Sequence, residues 1–117
     1  MPDPIPSATT VLMRNCRNTF EVLLLRRNSK IAYGGFWVFP GGKIDQEDYD
    51  QAAGDGLQAA RYAALRETRE ESGIRLSLKD LTFFAHWTTP VQRPKRFSTW
   101  FGRKICCSNY RAFYNYL

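Results

Sequence analysis

The chain has 117 residues, of which 44% are hydrophobic and 24% charged, with a formal net charge of +6. This length suits one domain with one core, and no apolar run is long enough to span a membrane, so we expect no membrane partner. Three cysteines without metal-ligand spacing, and a proline-rich start unlike a signal peptide, argue against a disulfide-rich secreted protein and favour a cytoplasmic one.

The first third of the chain predicts three strands separated by turn-forming residues. In each of them, apolar residues alternate with polar ones or run together. The strands are Thr9–Arg14, Phe20–Arg26 and Phe36–Phe39, with a loop at Asn28–Gly35. Pro40-Gly41-Gly42 then predicts a turn, and its paired glycines would let the backbone approach a ligand closely.

A helix is predicted from about Leu57 to Ser72, with Gly73 as its C-terminal cap. Steps of three and four residues place an apolar stripe on one face, and this stripe would pack on a core. Its members are Leu57, Ala60, Ala64 and Thr68. Glu71 projects from the edge of that stripe, where a carboxylate needs a partner or a metal to offset its desolvation.

Two further strands are predicted at Thr82–Thr88 and Arg96–Phe101, separated by the loop Pro90–Pro94. Residues 1–80 contain eleven basic and eleven acidic side chains, whereas no acidic residue follows Asp80. Basic residues interleaved with aromatic ones could bind single-stranded nucleic acid. The alternative, which we favour for both strands, is that the aromatic residues pack in a core with basic residues at its rim.

Three carboxylates are concentrated within five residues, at Glu67, Glu70 and Glu71. On a helix, residues three and four apart are neighbours, so these like charges would repel one another. A hard cation such as Mg²⁺ would remove the conflict, because carboxylate oxygens are its preferred ligands. The alternative is a solvated face whose acids form salt bridges with Arg66 and Arg69.

Gly42, followed by Arg66-Glu67-x-x-Glu70-Glu71-x-Gly73-Ile74, resembles the signature box of the Nudix hydrolases. The resemblance implies an α/β/α sandwich with a mixed sheet. It also implies that Mg²⁺ or Mn²⁺ assists hydrolysis of a nucleoside diphosphate linked to another moiety. By resemblance, Glu67, Glu70 and Glu71 would be metal-binding or catalytic carboxylates. Arg66 would hold one of them in place, and the carbonyl of Gly42 would add a metal ligand.

The box departs from the family pattern in the spacing between its two halves. The pattern has an acid six residues after the glycine and an arginine eight residues later. Asp48 stands at the first position, but Arg66 lies eighteen residues beyond it, an excess of ten placed at or near residues 51–60. An extra loop or short helix would accommodate the excess. Glu47 and Asp45 compete with Asp48 as the equivalent acid.

One Nudix subgroup also has an interrupted box and a similar sequence before the helix. It includes enzymes that act on coenzyme A and its esters. Leu23-Leu24-Leu25-Arg26-Arg27 resembles a segment of those enzymes. Arg26 and Lys43 are therefore candidate phosphate contacts, since guanidinium and ammonium groups both bind phosphate. The alternative for the arginines is an exposed strand end. The expected partner is a small nucleoside diphosphate derivative, and nucleic acid is less favoured.

Residues 7–101 are expected to form the core of the single domain, and residues 102–117 an atypical tail. We hypothesise that the chain is truncated or frameshifted near Phe101–Gly102, because the tail has neither an acidic residue nor an amphipathic helical pattern. This would leave the fold incomplete, with an exposed sheet edge prone to association. Two alternatives to a hydrolase follow: a non-catalytic nucleotide- or RNA-binding module, and an inactive fragment. The oligomeric state is not predicted.

Overall fold

The computed structural model describes residues 3–26, 35–106 and 114–116. These ranges contain two α-helices, a short 3₁₀ helix at Leu78–Asp80 and eight strands. The helices are α1 Gln46–Gln51 and α2 Gly56–Ser72. The strands are β1 Ile5–Cys16, β2 Thr19–Val22, β3 Leu24–Arg26, β4 Trp37–Val38, β5 Gly41–Lys43, β6 Thr82–Thr88, β7 Phe97–Cys106 and β8 Tyr114–Tyr116.

The main sheet is mixed and is built around the long strand β1. Strand β7 pairs with it in parallel, from Ile5 opposite Phe97 to Arg14 opposite Cys106. The two ends of β1 also pair antiparallel with β5 and β2, and β6 pairs antiparallel with β7. A second sheet has the order β4-β3-β8. The predicted α/β class with a mixed sheet is therefore confirmed.

Helix α2 packs on β1 through small side chains. The fully buried residues Ala60, Ala63 and Ala64 form one core cluster with Ala8 of β1 and Leu81. Because alanine carries only a methyl group, the helix axis can approach the sheet closely. A second cluster, formed by Leu12, Leu23, Leu25 and Ile74, lies at the other end of β1. These contacts fix α2, and with it the acidic face of the box, over the middle of the sheet.

The helix boundaries agree with the predicted ones. Helix α2 begins at Gly56, where the Asp55 carboxylate accepts the N–H of Gln58 at 3.0 Å as an N-cap. It ends at Ser72, and Gly73 follows with φ of 78°, a left-handed conformation that favours glycine. The ten-residue excess at residues 51–60 covers the last residue of α1, the connection to α2 and the first turns of α2, so the two halves of the box are separated by a loop and a longer α2 and not by an additional helix.

The glycine segment was wrongly predicted as a turn. Gly41–Lys43 forms strand β5, which pairs with β1 in the register Ser7 opposite Lys43 and Thr9 opposite Gly41. A Cβ atom on Gly41 would lie 2.5 Å from the carbonyl oxygen of Ala8, so the two backbones approach too closely for any side chain there. The glycine thus permits strand pairing, which local sequence does not reveal.

Three other predictions need correction. Leu57 lies in the first turn of α2, before the part that packs on the sheet, and is 44% exposed. Residues 20–26 form two strands in different sheets rather than one. Strand β7 extends to Cys106, five residues past the predicted end at Phe101.

The aromatic strands β6 and β7 follow the favoured core interpretation only in part. Phe83 and Trp100 pack against the cluster beneath α2, with their ring centroids 5.7 Å apart. Phe84 and Trp87, in contrast, are 53% and 54% exposed. A register irregularity between Phe83 and Ala85 interrupts the alternation of inward and outward side chains. Within the described ranges, no helix is long and apolar enough to cross a membrane.

Candidate active site

Arg66 is the centre of the acidic site. Its guanidinium contacts Asp48 twice, with Nε 3.2 Å from Oδ1 and Nη2 2.9 Å from Oδ2. Nη1 donates to Glu67 Oε1 at 2.9 Å and lies 3.5 Å from Glu70 Oε2. Nη2 also lies 3.3 Å from Asp45 Oδ2. The pKa of Arg66 is raised further above its already high ordinary value, first of all by the hydrogen bonding that it donates to the Asp48 carboxylate.

Of the three acids that competed for the first position of the box, Asp48 is the one that the fold buries against Arg66. It is 2% exposed, and its Oδ2 also accepts the N–H of Asp45 at 2.9 Å, as part of a capping box at the start of α1. Asp45 makes the longer contact from its place at the N-cap. Glu47 is exposed and has no ion pair among the residues that the structure describes. The inserted residues leave this contact intact because α1 folds back beside α2.

Glu67 is a partly buried carboxylate held between Arg66 and the backbone of Gly42. Burial is the largest influence on its pKa and raises it, against the lowering effect of Arg66, and the negative charges of Glu70 and Asp45 add to the rise. A Cβ atom at Gly42 would lie 2.7 Å from the carboxylate carbon of Glu67. Only glycine therefore allows this carboxylate to lie against strand β5.

Glu71 and Glu70 differ in their surroundings. Glu71, at the edge of the buried face as predicted, accepts the N–H of Gly41 through Oε1 at 2.9 Å. Glu70 has a side chain that is 51% exposed, and its contact with Arg66 is the longest of that group. Helix α2 thus presents one carboxylate to the guanidinium, one to β5 and one largely to solvent.

A cleft of about 550 Å³ lies beside β5 and contains Glu71 and both glycines of that strand. Its polar wall includes Lys43, whose side chain is exposed, and its apolar wall includes Phe39 and Phe97. Arg26 ends β3 and is exposed, but it is absent from the described lining of the cleft. The other arginine of that predicted segment, Arg27, lies outside the described residues.

The donor chemistry of the site fits a hard divalent cation. Four carboxylates contact the single guanidinium of Arg66, which leaves an excess of negative charge that a cation would offset. Among the described residues, however, no three acidic, histidine or cysteine side chains converge as a metal site. Cation binding would therefore require carboxylate groups of this site to converge further than they do in this structure.

Several residues at the site were not predicted from sequence. Phe97 and Thr99 reach the cleft because β7 pairs in parallel with β1, a contact between residues 92 positions apart that no local pattern indicates. The carbonyl of Lys43 accepts from Arg66 at 3.3 Å. The hydrogen bond between Glu71 and the Gly41 N–H could have been predicted only by assuming that the glycine segment and the helix of the box lie in contact.

Comparison with known proteins identifies the family. The model of the NUDIX domain matches residues 4–107. The chain belongs to the Nudix family. Its sequence matches none of the curated proteins. Membership of this family, together with similarity to solved Nudix hydrolases, supports its assignment as a pyrophosphohydrolase. Nudix hydrolases generally use divalent metal ions such as Mg²⁺ or Mn²⁺.

Solved structures resemble most of the chain. A NUDIX hydrolase from Alicyclobacillus acidocaldarius is 26% identical with a TM-score of 0.79, over 92% of this chain and 72% of that one. The Ap4A hydrolase of C. elegans is 24% identical with a TM-score of 0.61, over 92% of this chain and 71% of that one. The NUDIX domain of Shewanella oneidensis NrtR, complexed with ADP ribose, is 18% identical with a TM-score of 0.63, over 96% of this chain and 65% of that one. A MutT/nudix family protein from Enterococcus faecalis is matched over only 38% of its length.

Proposed function

We propose that this Nudix protein is a metal-dependent hydrolase that cleaves the phosphoanhydride of a nucleoside diphosphate linked to another moiety. The observation that carries the proposal is the network in which Arg66 joins Asp48 to Glu67, with Glu67 lying against the backbone of Gly42. This arrangement desolvates one carboxylate and fixes its position beside a cleft. Such positioning contributes strongly to catalysis, because reacting groups must be held in a productive geometry.

Glu67, Glu70, Glu71 and the carbonyl of Gly42 are the groups that would hold Mg²⁺ or Mn²⁺. When bound, such a cation supplies charge neutralisation at the diphosphate oxygens and a lower pKa for an attacking water. Lys43, exposed at the rim of the cleft, would contact a phosphate oxygen as a point charge. Arg66 acts on the reaction through Glu67 and Asp48, and is therefore a positioning residue.

Glu67 has two possible roles, and both use its partial burial. As a metal ligand it would bring a localised negative charge to the cation. As a general base it would accept the proton of the attacking water, and a raised pKa brings a carboxylate closer to the range in which it serves as a base at neutral pH.

The proposed substrate class is based on the positive charge of Lys43 and on the apolar walls of the cleft. Two proteins of the same fold are named with adenosine nucleotides: the C. elegans protein is an Ap4A hydrolase, and the NrtR domain is in complex with ADP ribose. Phe39 and Phe97 supply apolar surface for a base or an acyl group at the same cleft as Lys43. Coenzyme A and its esters are the substrates proposed from the interrupted box, with Arg26 as a further phosphate contact.

A substrate panel tests this function. Purified chain would be incubated with coenzyme A, ADP-ribose, NADH, Ap4A and capped RNA, in Mg²⁺, in Mn²⁺ and in EDTA, and products would be identified by mass spectrometry. The proposal expects cleavage at a phosphoanhydride in at least one case, only with metal. Preference for coenzyme A would support the subgroup assignment, whereas failure on every substrate would contradict the hydrolase.

The second candidate is a nucleotide-binding module without hydrolysis. It is favoured by the engagement of Glu67 and Glu71 with protein groups, since the described carboxylates are not converged for a metal. This candidate predicts tight binding of ADP-ribose or another panel compound with no product, even after long incubation with Mg²⁺. Calorimetry run beside the product assay distinguishes the two.

A further inference from the structure

A second cavity, of about 270 Å³, lies between α1 and α2. Among the described residues, none that lines this cavity also lines the cleft beside β5. Gln51 from α1 forms part of one wall, and Tyr62 and Arg69 from α2 form part of another. Arg75, just after α2, completes the polar lining, and Leu65 and Leu76 provide an apolar surface. The cavity is therefore polar at its walls, with an apolar portion.

Its position follows from helix geometry. Tyr62, Arg66 and Arg69 are spaced by four and three residues, so they lie on one face of α2. This face turns toward α1, whereas Glu71 turns toward strand β5. Gln51 belongs to the segment that interrupts the box. Gln51 thus supplies part of the α1 wall, and the Asp48–Arg66 pair of the acidic site lines the same cavity.

The charges lining the cavity are unequal. Asp48 and Arg66 also reach its wall, but they neutralise each other through their paired hydrogen bonds. That leaves Glu47 as one acid against Arg69 and Arg75. Neither of these two guanidiniums forms an ion pair with any residue in the described ranges, and both residues are exposed. The salt bridge from Arg69 to the box glutamates, which the alternative of a solvated face included, is not formed among the described residues.

We propose that this cavity binds a small phosphate-bearing anion. Two guanidinium groups facing one cavity can each offer a pair of N–H donors to phosphate oxygens, and the Tyr62 hydroxyl and Gln51 amide add further donors. The volume is just below that of pockets for drug-sized ligands, which suits inorganic phosphate or a small phosphomonoester. Binding here requires neither a metal nor hydrolysis.

Calorimetric titration with inorganic phosphate, and separately with AMP, tests the site at constant ionic strength in EDTA. The wild-type chain should bind saturably, and Arg69→Gln/Arg75→Gln should weaken binding about tenfold or more, since hydrogen bonds to charged groups are lost. The control, Arg93→Gln/Arg103→Gln, removes the same charge from exposed positions on the hairpin of β6 and β7 and should retain the wild-type affinity.

The outcome also distinguishes the source of the phosphate. Equal affinity for both probes indicates a site for the free anion, and tighter binding of AMP indicates an organic ester resting on the apolar surface. In either case the methyl NMR resonances of Leu65 and Leu76 should shift during the titration. Absence of saturable binding, or equal weakening in both double variants, would overturn the proposal. A failure of hydrolysis in the substrate panel would not contradict the phosphate site, because binding there requires no hydrolysis.

Discussion

Arg66 and Asp48, eighteen residues apart in sequence, form a bidentate ion pair with N···O distances of 3.2 and 2.9 Å. Their side chains are 14% and 2% exposed, so both charges are largely removed from water. The same guanidinium holds Glu67 at 2.9 Å. The first half of the interrupted box, on α1, therefore determines where a carboxylate of the second half lies.

Asp48→Ala should destabilise the fold by about 3 kcal/mol, because removal of one partner leaves the other charge of a buried pair uncompensated. The capping bond to the Asp45 N–H is lost as well. Asp50→Ala, an exposed position on the same helix, is the control and should change the free energy of unfolding by less than about 0.5 kcal/mol. Urea denaturation measures both. Equal effects of the two substitutions would show that Asp48 does not stabilise the fold through Arg66.

Gly42→Ala should lower kcat/KM by about a hundredfold, since a 1 Å misplacement of a reacting group can cost that much. The added methyl group would lie 2.7 Å from the Glu67 carboxylate, which must move. Gly56→Ala is the matched control, because a Cβ atom there meets nothing within 4 Å. Kinetics with the best panel substrate, together with thermal unfolding, separate a local effect from loss of the fold. Unchanged kcat/KM in Gly42→Ala would argue against the position assigned to Glu67.

The stability of the wild-type chain relative to Glu67→Gln should depend on pH. Because burial raises the pKa of Glu67, the folded chain binds its proton more tightly than the unfolded chain, whose carboxyl titrates near the ordinary value of 4.5. The contribution of Glu67 to the free energy of unfolding must then fall as pH rises from the unfolded pKa to the folded pKa.

The variant should therefore gain stability relative to the wild type between acid and neutral pH. Urea titrations of both chains in EDTA, one at acid pH and one at neutral pH, measure this difference. Other titrating groups affect both chains equally, so their effects cancel. A difference that stays constant or moves in favour of the wild type would mean that Arg66 outweighs burial at this carboxylate.

Thr10 and Thr68 form a buried hydroxyl pair between β1 and α2, with 2.9 Å between their oxygens. Thr68→Val should cost about 1 kcal/mol, because Thr10 loses one hydroxyl neighbour but keeps its 3.4 Å contact with the carbonyl of Ala64. Thr10→Val/Thr68→Val should cost less than the sum of the single changes, since it leaves no hydroxyl of the pair unsatisfied. Additive costs in a double-mutant cycle would contradict the coupling.

Sequence reasoning identifies α2 and its acidic face well because these depend on local periodicity. Ala60, Ala64 and Thr68 are buried as predicted, and Gly73 ends the helix in the predicted conformation. Leu57 has the correct helical angle, but its burial depends on whether the sheet extends beneath the first turn. The shape of the neighbouring sheet is a tertiary property, and spacing along one helix does not contain it.

The loop side of the site is less predictable for the same reason. Local residues make Pro40-Gly41-Gly42 a turn candidate, whereas pairing with β1 makes Gly41–Lys43 a strand. Asp45, Glu47 and Asp48 are equally acidic in sequence, and only the fold of α1 against Arg66 distinguishes them. Side chains that meet across eighteen or more residues carry no common local pattern.

The most direct measurement of the central claim is the hydrolysis rate of the best panel substrate by the wild-type chain, Glu70→Gln and Glu71→Gln, with Asp50→Asn as the control. Each assay is run with Mg²⁺ and with EDTA. We predict turnover by the wild type and the control only with Mg²⁺, and its abolition in both glutamate variants. Turnover that persists in EDTA, or that both glutamate variants retain, would contradict a metal-dependent site on α2.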